Sequence, residues 1–194
     1  MQQRAELEAL TRRRITESTV ALHGTLGPSR TSISAVAKHA GVRRSTVYRH
    51  FPDEATLFAA CTAHWMAANP LPDLEHWMAI EDPGERLKFA LQELYAYYSR
   101  TEGMMDNLVR DEATMPIVRE LFGGYRGYIV AARNALIHAR RPPGRTGGRL
   151  TAAVGHALAY TTWHSLVREQ ELDELQAVAL MCRLTAAADD ASPR

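Results

Sequence analysis

The sequence predicts an all-α protein: an N-terminal three-helix head carrying a helix-turn-helix, then a C-terminal helical body, about nine helices in all. Three observations carry this. Apolar residues recur at spacings of three and four through most of the chain, the period of helices that bury one face. No stretch shows the strict alternation of a half-buried strand. Proline, glycine and capping residues fall where helices must start and stop, with Ser32, Asp82 and Asp173 each just ahead of a helical pattern. With 194 residues and 46% apolar content, the chain can fill a core and is not a disordered tail.

The charge is uneven. Residues 1–52 hold nine basic side chains against three acidic ones, a net +6 within a total of +1, which leaves the remainder at −5. A basic third on an acidic body suggests a local surface for a polyanion. Nearly all the cations are arginine, which suits bidentate contacts to phosphate and guanine; a GC-rich coding sequence would give the same bias. Cys61 and Cys182 lie far apart, each inside an apolar helical pattern and without metal-ligand spacing, so both are expected to be reduced thiols of a cytoplasmic protein. No apolar run reaches the roughly 18 residues of a membrane span, and MQQRAELEAL lacks the core of a signal peptide.

The elements follow in order. Residues 4–26 predict a first helix with Ile15, Thr19, Leu22 and Leu26 on its packing face. The triplet Arg12–Arg14 is either a solvated face or a set of phosphate contacts. Gly27 and Pro28 end the helix. Ser32 can cap a short second helix whose inner face is Ile33, Val36, Ala37 and Ala40, and Gly41 closes it in a left-handed conformation. Val42 plugs the gap. Arg43–Phe51 resumes a helix with Val47 and Phe51 inward and Arg43, Arg44, Ser45, Thr46, Tyr48, Arg49 and His50 outward. This is the layout of a helix-turn-helix, whose second helix lies in the major groove.

Beyond Pro52, residues 54–68 predict a connecting helix and Asn69–Pro72 a domain boundary. A short helix over 74–79 precedes a longer one over 83–100, capped by Asp82, with Leu87, Ala90, Leu91, Leu94 and Tyr98 inward. A separate short helix over 102–111 and one over 116–140 follow; Gly123, Gly124 and Gly127 mark a kink or close contact in the latter. Residues 140–148 read as a loop, 149–168 as a slim helix, and 173–187 as a last helix with Leu175, Ala179, Cys182 and Ala186 on one stripe. The domains so predicted are a DNA-binding head at 1–52, a connecting helix at 53–69, a body at 70–188 and a disordered tail at 189–194.

The segment AVAKHAGVRRSTVYRHFPDEATLF resembles the DNA-binding signature of the tetracycline-repressor (TetR) family of bacterial transcription regulators. The match runs through Val36, Ala37, Ala40, Gly41, Val42, Thr46, Val47, Tyr48, His50, Phe51 and Leu57 in fixed register. Three positions depart from the pattern. Glu54 stands where the family has a phosphate-holding lysine, Ser45 replaces a small residue, and His23 replaces an aromatic late in the first helix. The resemblance implies that Arg44, Ser45, Thr46, Tyr48, Arg49 and His50 lie at the DNA. From their chemistry, Arg43 suits base or phosphate contacts, and Thr31 and Ser32 suit phosphate. It further implies a homodimer through the last two helices, a palindromic operator, a repressor as the family default, and release by an unidentified small-molecule inducer. Trp65, Tyr95, Met104, Met105, Phe122, Tyr125, Tyr160 and Trp163 are candidate pocket residues, each equally a wall of an ordinary core. His156, Tyr160 and His164, four apart, suggest one polar helical face.

Two other classes of protein compete with this reading. An enzyme would need a nucleophile elbow, a phosphate-cradling glycine loop or a zinc-binding HExxH, and none is present in the sequence. Catalytic residues, cofactors and metal ligands are therefore expected to be none. A helical protein-interaction module with degenerate DNA binding is the alternative, and Glu54 is the one residue that hints at it.

Overall fold

The computed structural model describes residues 2–138 and 145–190, and among them every regular element is helical. In order these are α1 (Gln2–Thr25), α2 (Ile33–His39), α3 (Arg44–His50), α4 (Glu54–Ala68), α5 (Leu74–Met78) and α6 (Pro83–Glu112). Then come α7 (Pro116–Leu121), α8 (Gly123–His138), α9 (Arg145–Ala157), α10 (Tyr160–His164) and α11 (Glu174–Asp190). A 3-10 turn spans Pro28–Arg30 and a π turn Ser165–Glu169. None of these helices is long and apolar enough to cross a membrane.

The chain forms two compact units. One comprises residues 1–70 and 101–123, the other 71–100 and 124–194. The first therefore draws on two separated stretches of sequence, whereas the predicted division followed chain order. Its core joins Ile15 of α1, Val36, Ala37 and Ala40 around α2, Val47 and Phe51 around α3, and Leu57 and Cys61 of α4, none above 5% exposed. The Cys61 thiol lies 3.8 Å from the Thr16 carbonyl, and burial pushes its pKa up to about 12, so it packs as an inert apolar group. In the second unit Leu87, Ala90, Leu91, Leu94 and Tyr98 line the buried stripe of α6 as predicted. Asp82 caps that helix, accepting the Glu85 N–H at 2.8 Å.

Several boundaries differ from the sequence expectation. Residues 83–100 and 102–111 form one 30-residue helix, because Thr101, Met104, Met105, Asn107 and Asp111 continue the buried stripe past Gly103. Gly103 is accommodated by a close crossing. A Cβ there would stand 3.2 Å from the Gly24 carbonyl of α1. The predicted helix over 116–140 is instead α7 and α8, broken at Phe122 before the Gly123–Gly124 pair. The predicted helix over 149–168 starts earlier, at Arg145, stops at Ala157, and resumes as α10 and the π turn. The predicted loop over 140–148 is thus helical from Arg145, and its other residues lie outside the described ones. Of the predicted tail, Asp189 and Asp190 extend α11, while 191–194 lie outside the described residues. On α11 the buried stripe is Ala177, Val178, Met181 and Thr185, so Leu175, Ala179 and Ala186 of the predicted stripe face out and Cys182 is half-buried. Leu26, past the end of α1, is also exposed.

Candidate nucleic-acid interface

The turn between α2 and α3 is built by local chemistry. Ser32 accepts the Ala35 N–H at 3.1 Å and caps α2, a bond that does not use its own hydroxyl proton. At the other end Gly41 takes φ +62, Val42 donates to the Ala37 carbonyl at 2.9 Å, and Gly41 donates to that of Lys38 at 3.2 Å. These are the paired bonds of a Schellman motif, which needs a left-handed residue at the glycine position. The chain is thereby turned into α3 at a fixed angle.

α3 is held by Val47 and by Phe51 at its C-terminal end, 0% and 2% exposed. Its opposite face is open: Arg43, Arg44, Ser45, Tyr48 and Arg49 are exposed, and Thr46 and His50 half-buried. Tyr48 is 45% exposed, so its ring is open to a partner. Its hydroxyl accepts from Arg44 Nη2 at 3.2 Å, and the guanidinium lies 5.7 Å from the ring centroid. The two side chains thus meet one turn apart on the exposed face. His50 Nε2 is buried without a hydrogen-bond partner among the described residues, and desolvation, then Arg49 and Arg12, hold its pKa below the ordinary value. Thr31 donates to the Gly27 carbonyl at 2.8 Å, so its proton serves the head and only its acceptor capacity remains. At α4, Asp53 accepts the Thr56 N–H at 2.7 Å and Glu54 occupies the exposed first turn. Two carboxylates thus meet the positive end of that helix, where a phosphate would otherwise be favoured.

The basic triplet does not act as one group. Arg13 pairs with Glu17 at 2.7 Å along α1. Arg12 instead reaches α3, where its guanidinium donates to the His50 carbonyl and lies 4.1 Å over the Phe51 ring.

Sequence reasoning missed the way α6 fastens the head. The last carbonyls of α1 have no helical donors of their own. Asn107 Nδ2 donates to His23 and Gly24 carbonyls, each at 3.0 Å, and Arg110 Nη2 to that of Leu26 at 3.0 Å. Asp111, 2% exposed, accepts from Arg110 at 2.8 Å and from the Ser29 N–H at 2.9 Å. Burial opposes ionisation of Asp111, but the hydrogen bonds from Arg110 and Ser29 outweigh it and hold the carboxyl below its usual pKa. Gly27, with φ +93, leaves room for this cluster. His23, buried beside it, stacks on Phe58 with centroids 4.9 Å apart, and desolvation lowers its pKa to about 4. It occupies the aromatic position as a neutral ring. These partners are 82 to 84 residues apart in sequence, and no local signal announces them.

The eight pocket candidates fall in both units. Trp65, Met104, Met105 and Phe122 belong to the first; Tyr95, Tyr125, Tyr160 and Trp163 belong to the second. In the second unit Tyr98, not among the candidates, is the centre of the group, with Tyr160 at 5.3 Å and Trp163 at 5.9 Å between centroids. Tyr95 and Tyr98 donate to the end carbonyls of α9, Ala157 at 3.0 Å and Leu158 at 2.6 Å. The Tyr98 proton is therefore committed, so in its 2.7 Å contact with Tyr125 it accepts and Tyr125 donates. Burial pushes the Tyr97 phenol up to about 12 and Tyr98 well above its ordinary range, so the group is neutral at physiological pH. Trp163 is fully buried, and its indole N–H has no hydrogen-bond partner among the described residues. His156, Tyr160 and His164 do not share one helical face, because the helix breaks at Leu158–Ala159. His156 sits 3.2 Å from the Thr162 hydroxyl and His164 lies 3.5 Å from Glu169.

The exposed polar face of α3, the Schellman turn and the apolar anchors together define a helix-turn-helix DNA-binding head. Residues 15–61 match the profile of "Bacterial regulatory proteins, tetR family". The chain carries the DNA-binding module of the TetR family of transcriptional regulators. No curated protein sequence matches the chain. Among solved structures, a transcriptional regulator from Rhodococcus sp. RHA1 is 21% identical, with TM-score 0.60 over 94% of this chain and 99% of its own. A tetR-family transcriptional regulator from Streptomyces coelicolor is 17% identical, with TM-score 0.62 over 91% of this chain and 81% of its own. The multidrug binding protein EbrR, in complex with imidazole, is 25% identical, with TM-score 0.51 over 89% and 88%.

Proposed function

We propose that the protein is a homodimeric repressor that binds a palindromic operator through α3 and is released by a small aromatic ligand. The observation that carries this is the open face of α3. Arg44 and Tyr48 are exposed and in contact on one side while Val47 and Phe51 lock the other. In a major groove, Arg44 would bond guanine and Tyr48 a thymine methyl or a phosphate, with Arg43, Ser45 and Arg49 beside them. Ser32, Thr46 and His50 would hold phosphates, whereas Thr31, whose hydroxyl proton goes to the Gly27 carbonyl, would not. A dimer is supported by α11, where Leu180 and Leu184, one turn apart, are 36% and 43% exposed, and by the small exposed residues Gly148 and Ala152 of the adjoining α9.

The ligand would be taken by the aromatic group of the second unit, including Tyr95, Tyr125, Tyr160 and Trp163. The Tyr95, Tyr98 and Tyr125 hydroxyls are committed to hydrogen bonds, and the Trp163 N–H is a buried donor without an acceptor among the described residues. That favours an uncharged ring carrying a hydrogen-bond acceptor. EbrR's imidazole is a ligand of comparable kind. Selection from a randomised duplex pool tests the regulator reading. Enrichment of an inverted repeat, released by an aromatic compound, is expected. No enriched sequence from any round would favour the helical interaction module instead.

A further inference from the structure

We infer that Arg12 is a positioning residue for DNA recognition, fixing the C-terminal end of α3 to α1 rather than meeting a phosphate itself. The inference rests on the reading of α3 as the DNA-contacting helix. α3 has only seven residues, two turns, so little of its own hydrogen bonding holds its orientation. Its interior face is anchored by Val47 and Phe51, which resist lifting but leave the last turn's carbonyls open. Arg12 supplies what is missing. Its guanidinium donates from Nη1 to the His50 carbonyl, and its central carbon lies over the Phe51 ring, 4.1 Å from the centroid. The cation also meets the negative end of the α3 dipole.

In-plane donation and stacking at once require a planar, delocalised cation, which lysine does not offer. The two contacts restrain different motions: the hydrogen bond opposes fraying of the final turn, and the stack opposes sliding of α3 along α1. Tyr48 and Arg49, which the regulator reading sets at the DNA, sit within the turn so restrained. The neighbouring Arg13 shows the contrast. Its partner Glu17 lies on its own helix and does nothing for α3. Placed there, the guanidinium joins desolvation and Arg49 in lowering the pKa of His50.

The test uses the full chain with Arg12→Met, which keeps the stem, and Arg12→Lys, which keeps the charge. Both are titrated with the selected duplex across a salt series. Positioning predicts that each variant loses roughly tenfold in affinity, a loss of charge-assisted bonding, while the slope of log K against log salt stays as in wild type. A direct phosphate contact predicts the reverse. The Met variant would lower the slope by about 0.9 per head, the Lys variant would bind nearly as wild type, and the inference would be overturned. Unchanged affinity in both variants would overturn it equally, leaving Arg12 as a solvated side chain. A second arm needs no DNA. Amide hydrogen exchange at Arg49, His50 and Phe51 in the free protein should quicken about tenfold in Arg12→Met, and exchange equal to wild type would also overturn it. Absence of duplex binding by the wild type would sink the regulator reading, while the exchange arm still decides whether Arg12 anchors α3.

Discussion

Replacing His23 by phenylalanine should remove one defined share of the acid sensitivity of the first unit. His23 is 6% exposed, stacked on Phe58, and its pKa falls from 6.5 to about 4, chiefly by desolvation, with Asp111 opposing. The folded state therefore keeps the ring neutral where the unfolded chain would protonate it. Between pH 6.5 and about 4 the unfolded state binds more protons, so stability rises with pH and is lost as pH falls through that window. The full shift corresponds to about 3 kcal/mol, and roughly 2 kcal/mol should be gone at pH 5 relative to pH 8. Phenylalanine fits the stack and carries no titrating group, so His23→Phe should lack this term. Urea unfolding of both proteins at pH 8, 6 and 5 measures it. The difference between variant and wild type should grow by about 2 kcal/mol from pH 8 to pH 5. Parallel pH profiles would refute the argument, because they would mean the imidazole is solvated or charged in the folded protein.

Other substitutions probe separate parts of the account. Gly27→Ala puts a methyl group onto the Arg110 guanidinium and 2.8 Å from Asp111 Oδ2, at φ +93, and should cost about 2–4 kcal/mol in denaturant titration. Tyr98→Phe removes the donor to the Leu158 carbonyl and the acceptor for Tyr125, and should cost about 1–3 kcal/mol on the same assay. Leu180→Glu with Leu184→Glu, on the outward face of α11, should convert a dimer to a monomer in light scattering while leaving the monomer folded.

The head was legible because its determinants are local. Ser32, Gly41, Val47 and Phe51 act on residues within one or two turns, and their spacing fixes the motif whatever else the chain does. The face of α6 was legible for the same reason, since Leu87 to Tyr98 repeats at helical period. Its length was not. Nothing local joins residues 83–100 to 102–111, and the contacts that hold the later stretch, Asn107 on the His23 and Gly24 carbonyls and Asp111 on the Ser29 N–H, are tertiary facts. The interruption between α9 and α10 also escaped, because nothing in Leu158–Ala159 forbids a helix; Tyr95 and Tyr98, some 60 residues earlier, supply donors to the carbonyls there. Among the site residues, exposure of Tyr48 followed from pattern alone, whereas the role of Arg12 depends on a carbonyl 38 residues away.

The most direct measurement is a salt titration of the selected duplex with wild type and Tyr48→Ala. The account predicts a log–log slope of about −5 to −9 for a dimer holding six to ten phosphates, with affinity in Tyr48→Ala at least tenfold weaker at every salt concentration. Equal binding by the two proteins, with a shallow slope and no preference for the selected sequence, would contradict α3 as the reading helix.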